Sequence, residues 1–454
     1  DDPNHPEYVL VPGTFSGPVH TNTHFGFYTG WQYTFRNVIS QVDPNIRTYY
    51  NNFVPIPTSD YAGSIHLSAD GYKQVARVPL PTNAFSQEYA VINGTGITDV
   101  KSDGTPVDPP AVMPRDGQGN SLPVLDSTGH VTVDALVANL RTAQNIAPTK
   151  SGSSLSNGVY ISSSDGSSIS GAGIYVQGTA DDVKLYGDTN GDQVYVITQG
   201  STSTTIRTSY ANNTTTISSG SSSFTYTGVP TDQSDPLNPR PAVSLFVNGG
   251  ITSLRGGKEG STSNPALASQ TALTVTAKRS IKVTGDLKYA DPVVNSDGTP
   301  VSNIASVKNV LGLFTNDGNI YLDAKTNYVS NADLSIEIDA ANAVFDSDTS
   351  NDSEAPYTGH EGGVTTWFGS GHQAPTSSAR IRLVGSDVEK NNSLVDYYNG
   401  DTYFDVRFSG GGFRPPFFPG TTYALGPPPV AGVLAISSID QAASTAKSWF
   451  RDNN

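Results

Sequence analysis

Ser244-Leu-Phe-Val-Asn-Gly249, Leu273-Thr-Val-Thr-Ala277, Ile281-Lys-Val-Thr-Gly285, Leu311-Gly-Leu-Phe-Thr315, Asn319-Ile-Tyr-Leu-Asp-Ala324, Leu334-Ser-Ile-Glu-Ile-Asp-Ala340 and Ile381-Arg-Leu-Val-Gly385 decide the fold class. Each is a short run with aliphatic residues at alternate positions, closed by or close to Gly, Asn or Asp. Alternation at period two makes a strand with one inward face. No hairpin turn joins these runs. Segment, Gly, segment without hairpins is the texture of an all-β chain built as a β-solenoid (parallel β-helix). In that architecture each strand stacks on its counterpart in the next coil, and inward Leu, Ile and Val build a continuous core. Long excursions such as 346–378 fit, because insertions are accommodated at the corners. A β-sandwich is the competing architecture.

Working outward, residues 172–228 read as an inserted antiparallel hairpin region. Val183-Lys-Leu-Tyr186 and Val194-Tyr-Val-Ile197 flank Asp188-Thr-Asn-Gly-Asp192, and Asn190-Gly191 predicts a type I′ turn. Asn212-Asn213 sits between two Thr-rich strands in the same way. The Ser-rich run from Ser151 to Ser170 reads as linker or solvated turn. Two short helices are predicted. The first covers 131–147, with Val133, Leu136, Val137 and Leu140 on one face and Pro148 as its stop. The second covers 439–451, after a Pro-rich stretch. Residues 8–55 read as short strands broken by Gly and Pro, and 100–130 as loop. The chain divides into a β-rich part ending in a helix (1–150), a Ser/Thr-rich hairpin region (151–236), the solenoid (237–435) and a terminal helix (436–454).

With 454 residues the chain can bury a sizeable core. Its formal charge of −15 excludes attachment to nucleic acid over the whole surface, but not through a local basic patch. Charged residues make up 15%, below the roughly 25% of ordinary domains. Cysteine is absent, which excludes disulfides, thiolate zinc sites and a Cys nucleophile. One Met and no Cys suit an oxidising exterior. No run approaches the roughly 18 apolar residues of a spanning helix, and no signal peptide is visible.

Few stretches carry chemistry. His20 and His24 stand four apart, but no carboxylate at suitable spacing joins them into a metal site. Asp188 to Asp192 resembles the start of a calcium loop without its closing Glu, and the turn explains it. Asp346, Asp348, Asp352 and Glu354 form the densest acidic loop. A solvated loop is the plain reading and Ca²⁺ the alternative; no other cofactor is expected. Nucleophile-elbow, phosphate-loop, metalloprotease and dinucleotide motifs are missing, so no enzyme is expected. A carboxylate pair drawn from distant coils, as in a carbohydrate-active enzyme, is the remaining catalytic rival. Lys278, Arg279, Lys282 and Lys288 make the one basic run, with Arg255 and Lys258 before it and Arg380 and Arg382 after it. In a solenoid such residues align into a stripe that can follow a phosphate backbone; the alternative is a solvated face. The aromatic run Tyr397 to Phe408 reads as a cap on the core.

Several segments together resemble a known family. They are Phe15-Ser-Gly-Pro-Val-His-Thr-Asn22, Gly173-Ile-Tyr-Val-Gln-Gly178, Val243 to Arg255, Leu273 to Leu287, Leu311 to Ile320, Tyr403 to Phe408 and Pro415 to Pro419. In that order they resemble the large minor-pilin-like pilus-accessory proteins of Deinococcus–Thermus bacteria, the ComZ minor pilin family. The resemblance implies an extracellular or cell-surface β-solenoid of the type IV pilus system, displayed among pilus subunits. Its expected task is binding DNA or a surface, with no soluble small-molecule substrate. Members of that family begin with a hydrophobic helix, whereas this chain starts at Asp1-Asp2-Pro3. Membrane contact is therefore expected only through a missing N-terminal segment. The rival expectation is a structural or adhesive surface-layer protein that ignores DNA.

Overall fold

The computed structural model describes residues 13–28, 30–48, 52–76, 84–96, 125, 130–233, 239–257, 265–325, 328, 335–344, 364–366, 379–389, 399–410 and 413–419. The fold is mostly β, with large parallel and mixed sheets and, among the described residues, two short α-helices and no closed barrel.

The N-terminal strands repeat. β1 (Gly13–Phe15), β2 (Val19–Thr21) and β3 (Gly26–Phe27) are followed by β4 (Tyr33–Phe35), β5 (Ile39–Gln41) and β6 (Asn45–Thr48). Each of the first three lies parallel on its counterpart, with Gly13 opposite Tyr33 and Val19 opposite Ile39, a twenty-residue offset in both pairs. β7 (Asn52–Pro55) folds back on β6, and β8 (Ile65–His66) and β9 (Tyr72–Gln74) continue the ladders on β4 and β5. The core between them is aromatic. Phe15 stacks on Phe35 at 4.9 Å, beside buried Tyr33, Ile39 and Ile46. This regular repeat underlies the broken strands expected over 8–55.

Helix α1 (Phe85–Asn93) had no forecast in the sequence. Helix α2 (Val133–Asn139) starts where expected, with the Thr132 side chain accepting from the Ala135 N–H at 3.2 Å. It ends eight residues before the predicted stop at 147. Leu140 turns instead into β10 (Leu140–Arg141), fully buried and paired with Ser162. Sheet pairing overrides the local helical period there. The predicted helix at 439–451 lies outside the described residues. The Ser-rich run is no bare linker. It holds β11 (Lys150–Ser151), β12 (Ser154–Leu155) and β13 (Gly158–Ser162).

The main body alternates between two sheets. β14 (Gly173–Gln177) joins the first and β15 (Asp182–Gly187) the second. An antiparallel meander then extends the second sheet, as expected: β16 (Gln193–Gln199), β17 (Thr202–Ser209), β18 (Thr214–Ser219) and β19 (Ser222–Thr227). Its first turn is not type I′. Gly191 has positive φ, Asn190 does not, and the Asp188 carboxylate caps the turn by accepting from Asn190 and Asp192 N–H. After the small hairpin β20 (Thr231–Asp232) and β21 (Arg240–Pro241), chain order alternates strictly. β22 (Val243–Asn248), β24 (Ala272–Ala277), β26 (Val310–Thr315), β28 (Ile336–Val344) and β30 (Arg380–Glu389) enter the first sheet. β23 (Ile251–Gly256), β25 (Ile281–Val283), β27 (Ile320–Leu322) and β29 (Val364–Thr366) enter the second. β31 (Asn399–Phe404) closes the first sheet.

From β14 to β31, and from β15 through β23 to β29, every neighbouring pair is parallel. The registers stack like on like. Ile174, Leu245, Val275 and Leu313 form one ladder; Ile251, Ile281, Ile320 and Val364 form another. All eight are buried in one core between the sheets. Successive rungs sit about 4.8 Å apart, so each aliphatic side chain packs on the one in the next strand.

The outer face of the first sheet is also covered. Ser244 Oγ donates to the Gln87 carbonyl at 3.0 Å, seating α1 on β22. The 413–419 segment crosses the same face. Gly312 makes room for it, since a Cβ there would lie 2.5 Å from the Phe418 ring. Tyr403, Phe404 and Phe408 are buried at the edge of the body.

Candidate functional site

The basic run does not form one column. Lys278 and Arg279 are exposed at the turn between β24 and β25. Their backbone is pinned, Lys278 N–H to the Val247 carbonyl at 3.0 Å and Arg279 N–H to that of Gly249 at 3.1 Å. Among the described residues neither side chain has a carboxylate partner. Lys282 is half-buried on β25 and stands opposite Tyr321 of β27. Arg255 lies at the other end of β23. Its guanidinium makes two hydrogen bonds to Asp182, at 2.9 and 2.8 Å, and stacks 4.2 Å from the centre of the Tyr328 ring. A guanidinium so engaged has two of its five donors committed and its charge offset by the carboxylate, which weakens its pull on a phosphate. Lys258 lies outside the described residues, and so do Asp346, Asp348, Asp352 and Glu354.

The other candidates are held by local partners. His20 Nε2 lies 3.1 Å from Asn22 Oδ1 and its Nδ1 3.3 Å from Ser40 Oγ, while His24 Nδ1 pairs with Asp43 Oδ2 at 3.0 Å. The two rings thus serve separate contacts. Burial lowers the His20 ring to about 4, against smaller upward effects from Asn22 and Ser40. Folded His20 stays neutral where the unfolded chain takes a proton, near its ordinary value of 6.5. Its stability contribution is therefore present above about 6.5 and lost as pH falls toward about 4. A ring-proton NMR titration will give His20 a midpoint of about 4; an ordinary histidine midpoint would contradict its burial. Asp188 and Asp192 both hold Arg207, the second at 3.4 Å, so the turn's carboxylates are engaged.

Among the described residues, a cleft of about 620 Å³ lies between α1, α2 and the outer face of the first sheet. α1 supplies Phe85 and Glu88, β14 supplies Tyr175 and Gln177, and β22 supplies Phe246 and Asn248. Lys278, Asn316 and Asp317 come from the turns stacked beside them. The Glu88 side chain is only 7% exposed. It accepts from the Val131 N–H at 3.4 Å and from the Tyr175 hydroxyl at 3.4 Å, with His130 Nδ1 at 3.6 Å. Gln177 Oε1 takes the same Tyr175 hydroxyl at 3.2 Å and Asn248 Nδ2 at 3.2 Å. Burial raises the Tyr175 hydroxyl well above its ordinary value, and the Glu88 charge adds to this. Tyr175 therefore stays a neutral donor. Its ring stacks on Phe246 at 5.7 Å, and Phe85 lies 4.0 Å from the His130 ring.

Sequence reasoning missed this cleft. Its residues come from positions 84 to 317, and no motif spaces them. Alternate outward residues on β14 and β22 were the only local sign. Comparison of the chain with protein-family models, with curated proteins and with solved structures finds no match.

Proposed function

We propose that the chain is a non-enzymatic cell-surface protein of the type IV pilus system, a minor-pilin-like accessory whose body is a β-solenoid. The observation that carries the reading is the strict alternation of β22 to β30 between two parallel sheets, with aliphatic ladders stacked in register. Such a body is a stiff rod in which each coil leans only on its neighbours, suited to displaying a lateral surface. The exposed turn bearing Lys278 and Arg279 is the surface offered to DNA. Calcium at the 346–354 loop is not needed for this role.

Immunogold labelling of intact cells of the source organism tests the assignment. Gold on pili supports it, and gold spread evenly over the envelope overturns it. The DNA arm has its own test. Lys278→Glu, Arg279→Glu and Lys282→Glu together will weaken DNA binding and lower its salt dependence; unchanged affinity removes DNA from the reading. One observation favours the rival, an adhesive envelope protein that ignores DNA. Arg255 is already neutralised by Asp182, which takes it out of the basic group on a chain of charge −15.

A further inference from the structure

We propose that the cleft between α1 and the first sheet is a binding site for a neutral saccharide. The inference goes beyond the pilus reading and does not depend on where the protein is displayed.

Three features converge. First, the Glu88 carboxylate is buried but loosely held. Charge-assisted bonds to a carboxylate usually span about 2.7–2.9 Å, whereas all three Glu88 contacts lie at 3.4 to 3.6 Å. Second, the Tyr175 hydroxyl has one proton for two acceptors, Glu88 and Gln177. Whichever acceptor it serves, the other has capacity left, and a ligand hydroxyl can supply the missing donor. Third, the site divides into an aromatic part and a polar rim. The half-buried Phe85 ring offers apolar surface above the buried Tyr175–Phe246 stack, and Gln177, Lys278 and Asp317 surround it.

A sugar ring divides in the same way. Its C–H face suits aromatic rings, and its hydroxyls both donate and accept. They can donate to Glu88 and accept from Lys278 and the Gln177 amide. Other ligand classes fit less well. An anion meets the charges of Glu88 and Asp317 against the single ammonium of Lys278. A wholly apolar ligand would strip water from Glu88 and return no hydrogen bond, so it is disfavoured. The volume falls within the roughly 300–1,000 Å³ typical of small-ligand sites.

Saturation-transfer NMR on the purified full chain tests the proposal. The probes are chitotriose, cellotriose and maltotriose at millimolar concentration, with trigalacturonate as the anionic comparator. At least one neutral trisaccharide will show transfer and bind more tightly than trigalacturonate. Glu88→Gln and Phe85→Ala will each weaken it about tenfold or more. Gln177→Ala, at the half-buried end of β14, is the second variant should either of those unfold, and melting curves report which variants stay folded. Three results would overturn the site: no transfer from any neutral probe, tighter binding of trigalacturonate, or folded variants that bind like the native chain. Failure here leaves the pilus assignment standing, and evenly spread gold leaves this site standing.

Discussion

Replacing Arg407 with alanine will destabilise the protein by about 3–5 kcal/mol, the usual penalty for stripping one partner from a buried ion pair. Arg407 and Asp405 side chains are 6% and 0% exposed. The guanidinium binds both Asp405 oxygens, with Nε at 3.0 Å from each and Nη2 at 2.6 Å from one. Nη1 also donates to the carbonyls of Val307 and Asn309, at 3.1 and 3.0 Å. The Phe413 ring centre lies 4.3 Å from the guanidinium carbon. One residue thus ties the end of the first sheet to the loop before β26 and to the 413–419 segment. Removing it leaves the buried Asp405 charge with only the backbone N–H of residue 407, at 3.1 Å, and takes a donor from each of two carbonyls. Asp405→Leu combined with Arg407→Met will cost less than the two single changes added together, because no lone charge stays buried. Urea unfolding measures all three; a loss below about 1 kcal/mol in Arg407→Ala would show the pair to be dispensable.

The second large effect is a pH slope. Asp339 on β28 is buried beneath Tyr289, whose backbone N–H donates to it at 2.8 Å. Burial pushes its carboxyl up to about 8; the Glu337 charge adds to this, while Arg382 and Lys288 oppose it. Those neighbours are themselves linked, Lys288 to Glu337 at 3.0 Å and Asp286 at 3.2 Å, and Arg382 to Glu337 at 3.2 Å. The folded chain keeps the Asp339 proton up to about 8, whereas the unfolded chain releases it near 3.9. Between these values unfolding releases a proton. Stability from this group is therefore full below about 4 and falls as pH rises toward 8, by up to about 1.4 kcal/mol per unit. Asp339→Asn keeps an acceptor for the Tyr289 N–H and loses the titration. Unfolding midpoints of the variant will stay flatter than native between about pH 5 and 8. Parallel curves for the two proteins would place the proton elsewhere.

Some of this was legible before folding. Val243–Asn248, Ala272–Ala277 and Val310–Thr315 declare themselves as strands because a period-two pattern is local. The hairpin insertion was equally plain, since Asn-Gly and Asn-Asn mark chain reversals, though the turn geometry at Asp188 to Asp192 differed once its carboxylate capped the backbone. The twenty-residue offset in the N-terminal strands was present as Thr14-Phe15 against Thr34-Phe35, a signal visible only when segments are compared at fixed distance.

By itself, then, the amino-acid order determined which residues form strands, which face of each turns inward, where the chain reverses and how acidic the molecule is. Each of these depends on neighbours within a few positions or on simple sums. Only the tertiary structure decided which side chains meet. Arg255 reads as a free cation until Asp182, 73 residues earlier, is laid beside it by the pairing of β15 with β23. Glu88 carries no signal in the sequence, and only the seating of α1 on β22 shuts it against Tyr175, 87 residues away. α2 stops at Asn139 because β13 has a place for Leu140. From β22 to β30, parallel neighbours are joined through a strand of the other sheet and its loops, so their register carries no short-range pattern. Partners are fixed only when the whole stack closes.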